Sequence, residues 1–241
     1  MSANDFLPEP LPGNPLPLFA NWFRQARERA TQPNPDAMVL ATSDANNVPS
    51  ARVVLCKLLA ESDGYVVFFT NYQSRKGREL SAHPRAAAVF HWDALHRQVR
   101  MEGPVVRSPV KESDDYFASR ALISRIGAWA SQQSEPLASR AALAEQVEAT
   151  AARFGVSLTT SEGTTSEGTA SGGTASEGTA AEGHVPRPSH WGGHRLWIDT
   201  IELWVEGAGR VHDRAIWKRD LSRKDEYSFS AGEWRGTRLN P

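Results

Sequence analysis

Between Ala37 and Val106 the chain is written in short β-branched and aromatic runs, AMVLAT, ARVVLCKLL, YVVFFT, AAAVFHW and RQVRMEGPVV. The first three are cut apart by the turn sequences DANN and ESDG, and only a few residues separate the last two. Connections this short leave no room for a crossover helix, so successive strands pair antiparallel. The last two runs make a further hairpin, and a sheet assembled this way is expected to curl into a barrel.

Helical signals flank this block. Asn14 as a cap, Pro15 near N1, and Phe19, Trp22, Phe23 and Ala26 at i, i+3, i+4 and i+7 predict one amphipathic helix. After Pro109 the pattern predicts helices over about 109–119, 121–131 and 137–154, the last with Leu143, Val147 and Ala151 along one side. Strands return at about 195–206, 211–219 and 226–239. Strands in runs with helices grouped between them point to a mainly β, α+β fold rather than a doubly wound one. From Ser161 to Val185 the text is a five-residue quasi-repeat (SEGTT, SEGTA, SGGTA, SEGTA, AEGHV) almost without hydrophobes, which cannot offset its ordering entropy by burial. Residues 158–184 are therefore expected to be a flexible, solvated insertion, residues 1–13 a flexible tail, and 14–241 a single domain.

Composition narrows the chemistry. Lys and Arg number 27 against 28 Asp and Glu, a net charge of -1, so no global field favours nucleic acid or an anionic membrane and any anion site is local. Cys56 is the single cysteine, which excludes an internal disulfide framework and fits a reducing, cytoplasmic setting. Neither a signal peptide nor a run of about 18 apolar residues is present, so export and membrane spanning are not expected. The patterns G-x-G-x-x-G after a strand, G-x-x-x-x-G-K-S/T, G-x-S-x-G and H-E-x-x-H are all absent. His190 and His194 have Gly192 and Gly193 between them, so no helical metal pair is expected.

Three clusters carry possible chemistry. Arg52 and Lys57 bracket one strand, and Phe69-Thr70-Asn71 ends the next and leads into Ser74-Arg75-Lys76 before GRELSA. Hydroxyls, cations and helix N-terminal amides together seat a phosphate, although a solvated basic turn reads the same way. Tyr116, Arg120 and Ser124, at i, i+4 and i+8, would share a face of a continuous helix and offer a second oxyanion site, or simply an ordinary polar face. Alternation in the late hairpin puts Arg210, His212 and Arg214 on one side, near the strand of Trp204; a solvent-facing edge would look alike.

In this order the segments NPLPLFANWF, ARVVLCK, VVFFTNYQSRKGREL, HRQVRMEG, DYFASR, SRIGAWASQQS, VPRPSHWGG, IELWVEGAGRVHDR and RLNP resemble the pyridoxamine 5'-phosphate oxidase family. The resemblance runs from about residue 14 to the end, apart from the insertion. It implies a split β-barrel acting as a homodimer, with FMN in the cleft between subunits. It also implies oxidation of pyridoxamine or pyridoxine 5'-phosphate to pyridoxal 5'-phosphate by O2, with release of H2O2 and, from the amine, ammonia. FMN contacts carry over onto Arg52, Lys57, Phe69, Thr70, Arg75, Lys76, Gln98, Gln133, Ser134, Trp204 and Arg214. Substrate contacts fall on Lys57, Tyr116, Arg120, Ser124, Arg210 and His212, the last two over the reacting carbon as catalytic residues. No metal is implied.

The chain departs from the family pattern in four places. MSANDFLPEPLPG lacks the basic stretch before the first helix, Arg120 is followed by Ala-Leu-Ile-Ser rather than Pro-Arg-x-Ser, and Phe69 stands where Tyr is common. Arg52 and Lys57 also lie an odd number apart, so a regular strand would send them to opposite faces unless a bulge intervenes. The competing functions are a sister FMN oxidase of an unphosphorylated aromatic such as a dihydrophenazine, and a non-catalytic flavin- or pyridoxal-phosphate-binding protein. Deleting about Ser161 to Glu182 is expected to leave FMN affinity, read by flavin fluorescence, within severalfold of the full chain.

Overall fold

The computed structural model describes residues 6–30, 32–158 and 184–241. The chain opens with helix α1 (Leu16–Arg29), its first amide bonded to the Asn14 side chain at 3.0 Å and a proline at its start, as the sequence predicts. Strands β1 (Ala37–Ser43), β2 (Pro49–Leu55), β3 (Leu58–Ala60) and β4 (Tyr65–Asn71) lead to helix α2 (Arg75–Ala82). Next come β5 (Arg85–Trp92), β6 (Arg97–Arg107), and helices α3 (Val110–Ala118), α4 (Leu122–Ala130) and α5 (Arg140–Arg153). The chain ends with β7 (Trp191–Trp197), β8 (Thr200–Val205), β9 (Asp213–Lys218), β10 (Leu221–Arg223), β11 (Phe229–Ala231) and β12 (Arg235–Leu239).

Strands β12, β9, β8, β6, β5, β1 and β2 follow one another across one wall, while β3, β4 and β7 form the other. Every pairing is antiparallel, and together the walls make the expected split β-barrel. The long strand β6 joins them. It pairs with β5 and β8 along its first part, and at Val105–Arg107 it faces Leu196–His194 of β7. The transfer occurs beside Gly103, where a Cβ would overlap the Trp197 carbonyl oxygen, so only glycine allows the two backbones to cross so closely.

Several sequence expectations are corrected. The run ARVVLCKLL is two strands, because at Cys56 and Lys57 the chain leaves β1 for β4: the Cys56 amide bonds Asp36 and the Lys57 amide bonds Val67. This change of wall is what lets Arg52 and Lys57 face one cavity despite their odd spacing. The single strand expected over 195–206 is β7 and β8, broken at Ile198–Asp199. The stretch 226–239 holds the separate β11 and β12. The expected flexible tail has its described part, 6–13, laid against the barrel. Leu7 is buried, the Leu7 amide bonds Asp213 at 2.7 Å, and Trp217 Nε1 bonds the Pro12 carbonyl at 2.8 Å. The leucines that a composition reading counts as tail have a barrel groove to fill. The insertion lies outside the described residues except Leu158, which packs near α5, and His184, which is exposed.

The main core is the predicted helix face set into the barrel. Phe19, Trp22, Phe23 and Ala26 are buried, with ring centroids 5.8 Å apart for Phe19 and Phe90 and 5.3 Å for Phe23 and Phe90. Each such ring contributes roughly 1.5–3 kcal/mol by burial. A second cluster, built on Phe117, Ile126, Ala151 and Trp191, ties α3–α5 to β7. Phe19→Ala is expected to lower unfolding free energy by about 3–5 kcal/mol, the range for opening an aromatic-sized cavity in a core that cannot collapse, read by urea titration.

Candidate functional site

A cavity of about 810 Å³ opens where β2, the end of β4, α2 and the α3–α4 junction meet. It is lined by Arg52, Lys57, Phe69, Thr70, Arg75, Lys76, Gln133 and Ser134, and also by Tyr116, Arg120 and Ser124. Two clusters that the sequence separates by some forty residues thus share one hollow, and the surrounding elements explain why. Ser74 caps α2, its Oγ accepting the Gly77 amide, so Arg75 and Lys76 occupy the first turn, where unpaired amides favour an anion.

At this end Lys76 Nζ reaches Thr70 Oγ1 at 3.0 Å, Gln133 Oε1 at 3.1 Å and Ser74 Oγ at 3.2 Å, all neutral acceptors. Burial, and secondarily the charge of Arg52, push its ammonium down to about 8, against the opposing pull of Glu79. Arg52 and Arg75 both bind Glu79, which is 3% exposed. The three cations and one carboxylate leave two net positive charges beside Thr70 and Gln133. This is a seat for a doubly charged oxyanion.

At the other end the chain forms the two separate helices that the sequence predicts, and not one continuous helix that would align Tyr116, Arg120 and Ser124 by spacing alone. α3 stops at Ala118 with Ser119 Oγ bonding the Tyr116 carbonyl at 2.8 Å, and α4 begins after an extended Ala121. Arg120 sits in the break, its guanidinium 4.7 Å from the Trp191 ring centre. That contact, and not helical spacing, brings Arg120 beside Tyr116 and Ser124. Phe69, Tyr116 and Trp191 are stacked, with centroids 3.9 Å apart for the first pair and 6.2 Å for the second. Burial raises the Tyr116 phenol, which therefore stays a neutral donor, and burial lowers Arg120. Arg120 Nη1 is buried without a hydrogen-bond partner among the described residues. A buried guanidinium nitrogen with nothing to bond is an invitation to an anion.

The remaining expected site residues gather elsewhere. Gln98 faces Trp204 across β6 and β8, Trp204 faces Arg214 across β8 and β9, and the Trp204 and His212 rings are 4.6 Å apart. None of these lines the cavity. The expected strand alternation through Arg210, His212 and Arg214 is also corrected: β9 starts only at Asp213. Gly209 and Arg210 turn back with φ of 63° and 64°, and the Gly207 amide meets His212 Nδ1 at 3.2 Å. The glycines of GAGR let the loop reverse before the strand begins. Arg214 is held by the buried Glu202 at 2.9 and 3.0 Å.

Comparison with known proteins bears on this arrangement. The model described as "Pyridoxamine 5'-phosphate oxidase" matches residues 25–154, and "Pyridoxine 5'-phosphate oxidase C-terminal dimerisation region" matches 191–241. The chain belongs to the pyridoxamine 5'-phosphate oxidase family. A pyridoxine/pyridoxamine 5'-phosphate oxidase of Burkholderia lata is 44% identical over 217 residues, 90% of this chain and 87% of that protein. The solved structure of PhzG from Burkholderia lata 383, in complex with tetrahydrophenazine-1-carboxylic acid, has a TM-score of 0.73 at 26% identity, covering 95% of this chain and 94% of that one. A pyridoxamine 5'-phosphate oxidase-related, FMN binding protein from Nostoc punctiforme shares the fold, with a TM-score of 0.60 at 14% identity over 93% and 96% of the two chains.

Within this cavity, two participants escaped the sequence reading. Glu79 could have been found from its i,i+4 spacing to Arg75, whereas Trp191 stands in a quoted segment but carries no local signal for stacking on a distant tyrosine. The histidines take other duties: His190 Nε2 lies 3.2 Å from the Ala128 carbonyl, and burial holds His194 down at about 3. Among the described residues no group of His, Cys, Asp and Glu has metal-binding geometry, and no helix is long and apolar enough to cross a membrane. Burial pushes the Cys56 thiol up to about 12.

The lowered Lys76 makes a pH prediction. A bound anion restores the ammonium, so binding takes up a proton above pH 8, and inorganic phosphate affinity should fall about tenfold between pH 7.5 and 9.5. Calorimetry in buffers of different ionisation enthalpy reads the proton uptake directly, and Lys76→Met should abolish the pH step.

Proposed function

We propose that this chain is an FMN-dependent oxidase that converts pyridoxamine 5'-phosphate and pyridoxine 5'-phosphate to pyridoxal 5'-phosphate. The single observation carrying the reading is that one cavity has two separate anion seats: Arg52, Arg75 and Lys76 at one end, and the unpartnered Arg120 Nη1 with Tyr116 and Ser124 at the other. Two phosphorylated molecules lying against each other need that arrangement. The donor set fits the cofactor: Arg75, Lys76 and the α2 amides, with Thr70 and Gln133 beside Lys76, suit its phosphate, and Ser134 on the cavity lining adds a neutral donor. FMN, when bound, supplies a two-electron acceptor that O2 regenerates.

The residues of the chain orient and neutralise. Arg120 and Ser124 take the substrate phosphate, Tyr116 donates a neutral hydrogen bond, and Lys57 stands at the junction of the two ligands. Over the reaction the amine substrate, O2 and water become the aldehyde, H2O2 and ammonia; the alcohol substrate and O2 become the aldehyde and H2O2. Arg210 and His212 are assigned to hold the amine or alcohol, but within one chain they are remote from the cavity. Strand β8 is four places from β2, roughly 19 Å along the sheet at ordinary strand spacing.

A homodimer resolves this distance, with the Gln98, Trp204, Arg210, His212 and Arg214 group of one copy completing the cavity of the other. Two observations support it. The matched C-terminal family region is described as a dimerisation region. Val39, Val53 and Leu55 are 43%, 64% and 37% exposed on the outer face of β1 and β2, contiguous with the cavity, a row of aliphatic side chains that water alone does not favour.

A second reading, oxidation of an unphosphorylated tricyclic acid, draws on the likeness to PhzG. Arg120→Ala separates the two. For a phosphorylated substrate, losing a charge-assisted bond should cut kcat/KM about 10–100-fold, mostly through KM. For an unphosphorylated one it should change little. Flavin-loaded protein that produced neither pyridoxal phosphate nor H2O2 from either vitamer would remove the leading reading.

A further inference from the structure

We propose that Glu79 is a positioning residue for the anion end of the cavity: its buried carboxylate anchors the Arg75 guanidinium for a phosphate and holds the charge of Arg52 beside it. The proposal rests on reading that end as the cofactor-phosphate seat. Glu79 lies on α2 and receives Thr42 Oγ1 at 2.5 Å, Ser50 Oγ at 2.7 and 2.8 Å, Arg75 Nε at 2.8 Å and Arg52 Nη2 at 3.2 Å. Burying a carboxylate is expensive unless every lone pair is used, and here four side chains use them. Thr42 and Ser50 in turn accept the two Nη groups of Arg52. The result is a closed network spanning β1, β2 and α2.

The geometry at Arg75 is the telling part. Glu79 takes Nε, the side of the fork, and the Arg75 side chain, 56% exposed, makes no other hydrogen bond among the described residues. Held by Nε, the guanidinium is anchored at one side while both Nη groups stay without a partner among the described residues, on a residue that lines the cavity. A lysine in that place could not be oriented this way. Arg52 shows the complementary pattern, with its Nη atoms turned inward, so it contributes charge and rigidity rather than open donors.

Charge balance points the same way. Arg52, Arg75 and Lys76 would together exceed what a phosphate neutralises, since that group carries about -1.5 to -2 at neutral pH. One carboxylate lowers their net charge to two, which such a phosphate nearly neutralises. Hydrogen bonds from Thr42, Ser50, Arg75 and Arg52 outweigh the burial that would raise Glu79, and hold it at about 2, so it stays ionised throughout the working range. The charged groups facing it are Arg52 from β2 and Arg75 and Lys76 from α2; β1 contributes only the Thr42 hydroxyl. Glu79 is also the group opposing the fall of Lys76. A neutral residue here would cost Lys76 its proton nearer pH 7.

Two variants separate charge from reach in the full-length protein freed of flavin. Glu79→Gln keeps the shape and removes the charge, while Glu79→Asp keeps the charge but withdraws the carboxylate by one methylene. FMN and riboflavin binding are followed by flavin fluorescence between pH 6.5 and 9.5, with thermal melts to verify folding. Both variants are expected to weaken FMN by ~10-fold or more, as for loss of a charge-assisted pair, while riboflavin, lacking the phosphate, moves less than about twofold. Only Glu79→Gln should shift the pH midpoint of FMN binding downward, and should it not fold, Glu79→Asp still decides the matter. Equal losses for FMN and riboflavin, or FMN binding by both variants within twofold of the parent, would overturn the positioning role while leaving the oxidase reading intact. If the parent itself bound no flavin, the oxidase reading would fail instead, and positioning would then be read from thermal stabilisation by inorganic phosphate, which the parent should show and Glu79→Gln should lose.

Discussion

Strand β6 is hydrogen-bonded to β5, β8 and β7, and this triple engagement is possible only because its backbone passes against Trp197 at Gly103. Both walls of the barrel take their position from that strand. β4 and β7 inherit one end, bringing Phe69, Thr70 and Trp191 to the cavity, while β8 inherits the other, carrying Trp204 and Glu202 away from it. The division of the expected site residues into two groups therefore follows largely from strand order.

Within the cavity the governing effect is like charge held close. Arg52, Arg75 and Lys76 are kept together by one buried carboxylate and by neutral oxygens, and the Lys76 ammonium is lowered first by its burial and then by the charge of Arg52. Arg120 shows the same economy without a carboxylate: aromatic faces shield it, and one nitrogen is left unbonded. Placing desolvated cations in advance of the ligand removes reorganisation from the binding event, which is how positioned charge gains its effect in a low-dielectric site.

Much of this was readable beforehand, for unequal reasons. The helix bearing Phe19, Trp22 and Phe23 and the strands from Ala37 to Val106 were legible because burial imposes periods of 3.6 and 2 on the text. The helix in GRELSA was legible too, although it starts at Arg75, behind a Ser74 cap that the sequence reading did not mark. Tyr116, Arg120 and Ser124 were grouped from a spacing that only a continuous helix would turn into a shared face, whereas the predicted break between two helices falls at Ser119 and Arg120 packs on a tryptophan far along the chain. The wall change at Cys56 and the reversal at Gly209–Arg210 depend on which strand each segment pairs with, a long-range fact that spacing does not encode. Docking of Leu7 was missed because a proline-rich composition says nothing of the groove waiting for it.

Cys56 draws one last consequence from the fold. Where the chain crosses between walls it sets its lone thiol in the apolar interior, 0% exposed and protonated well beyond neutral pH. Peroxide attacks sulfur as thiolate, so a residue kept in the undissociated form is slow to climb the oxidation ladder. For the proposed oxidase reaction, whose by-product is peroxide, the sulfur next to Lys57 on the cavity wall is thereby kept out of reach of that by-product.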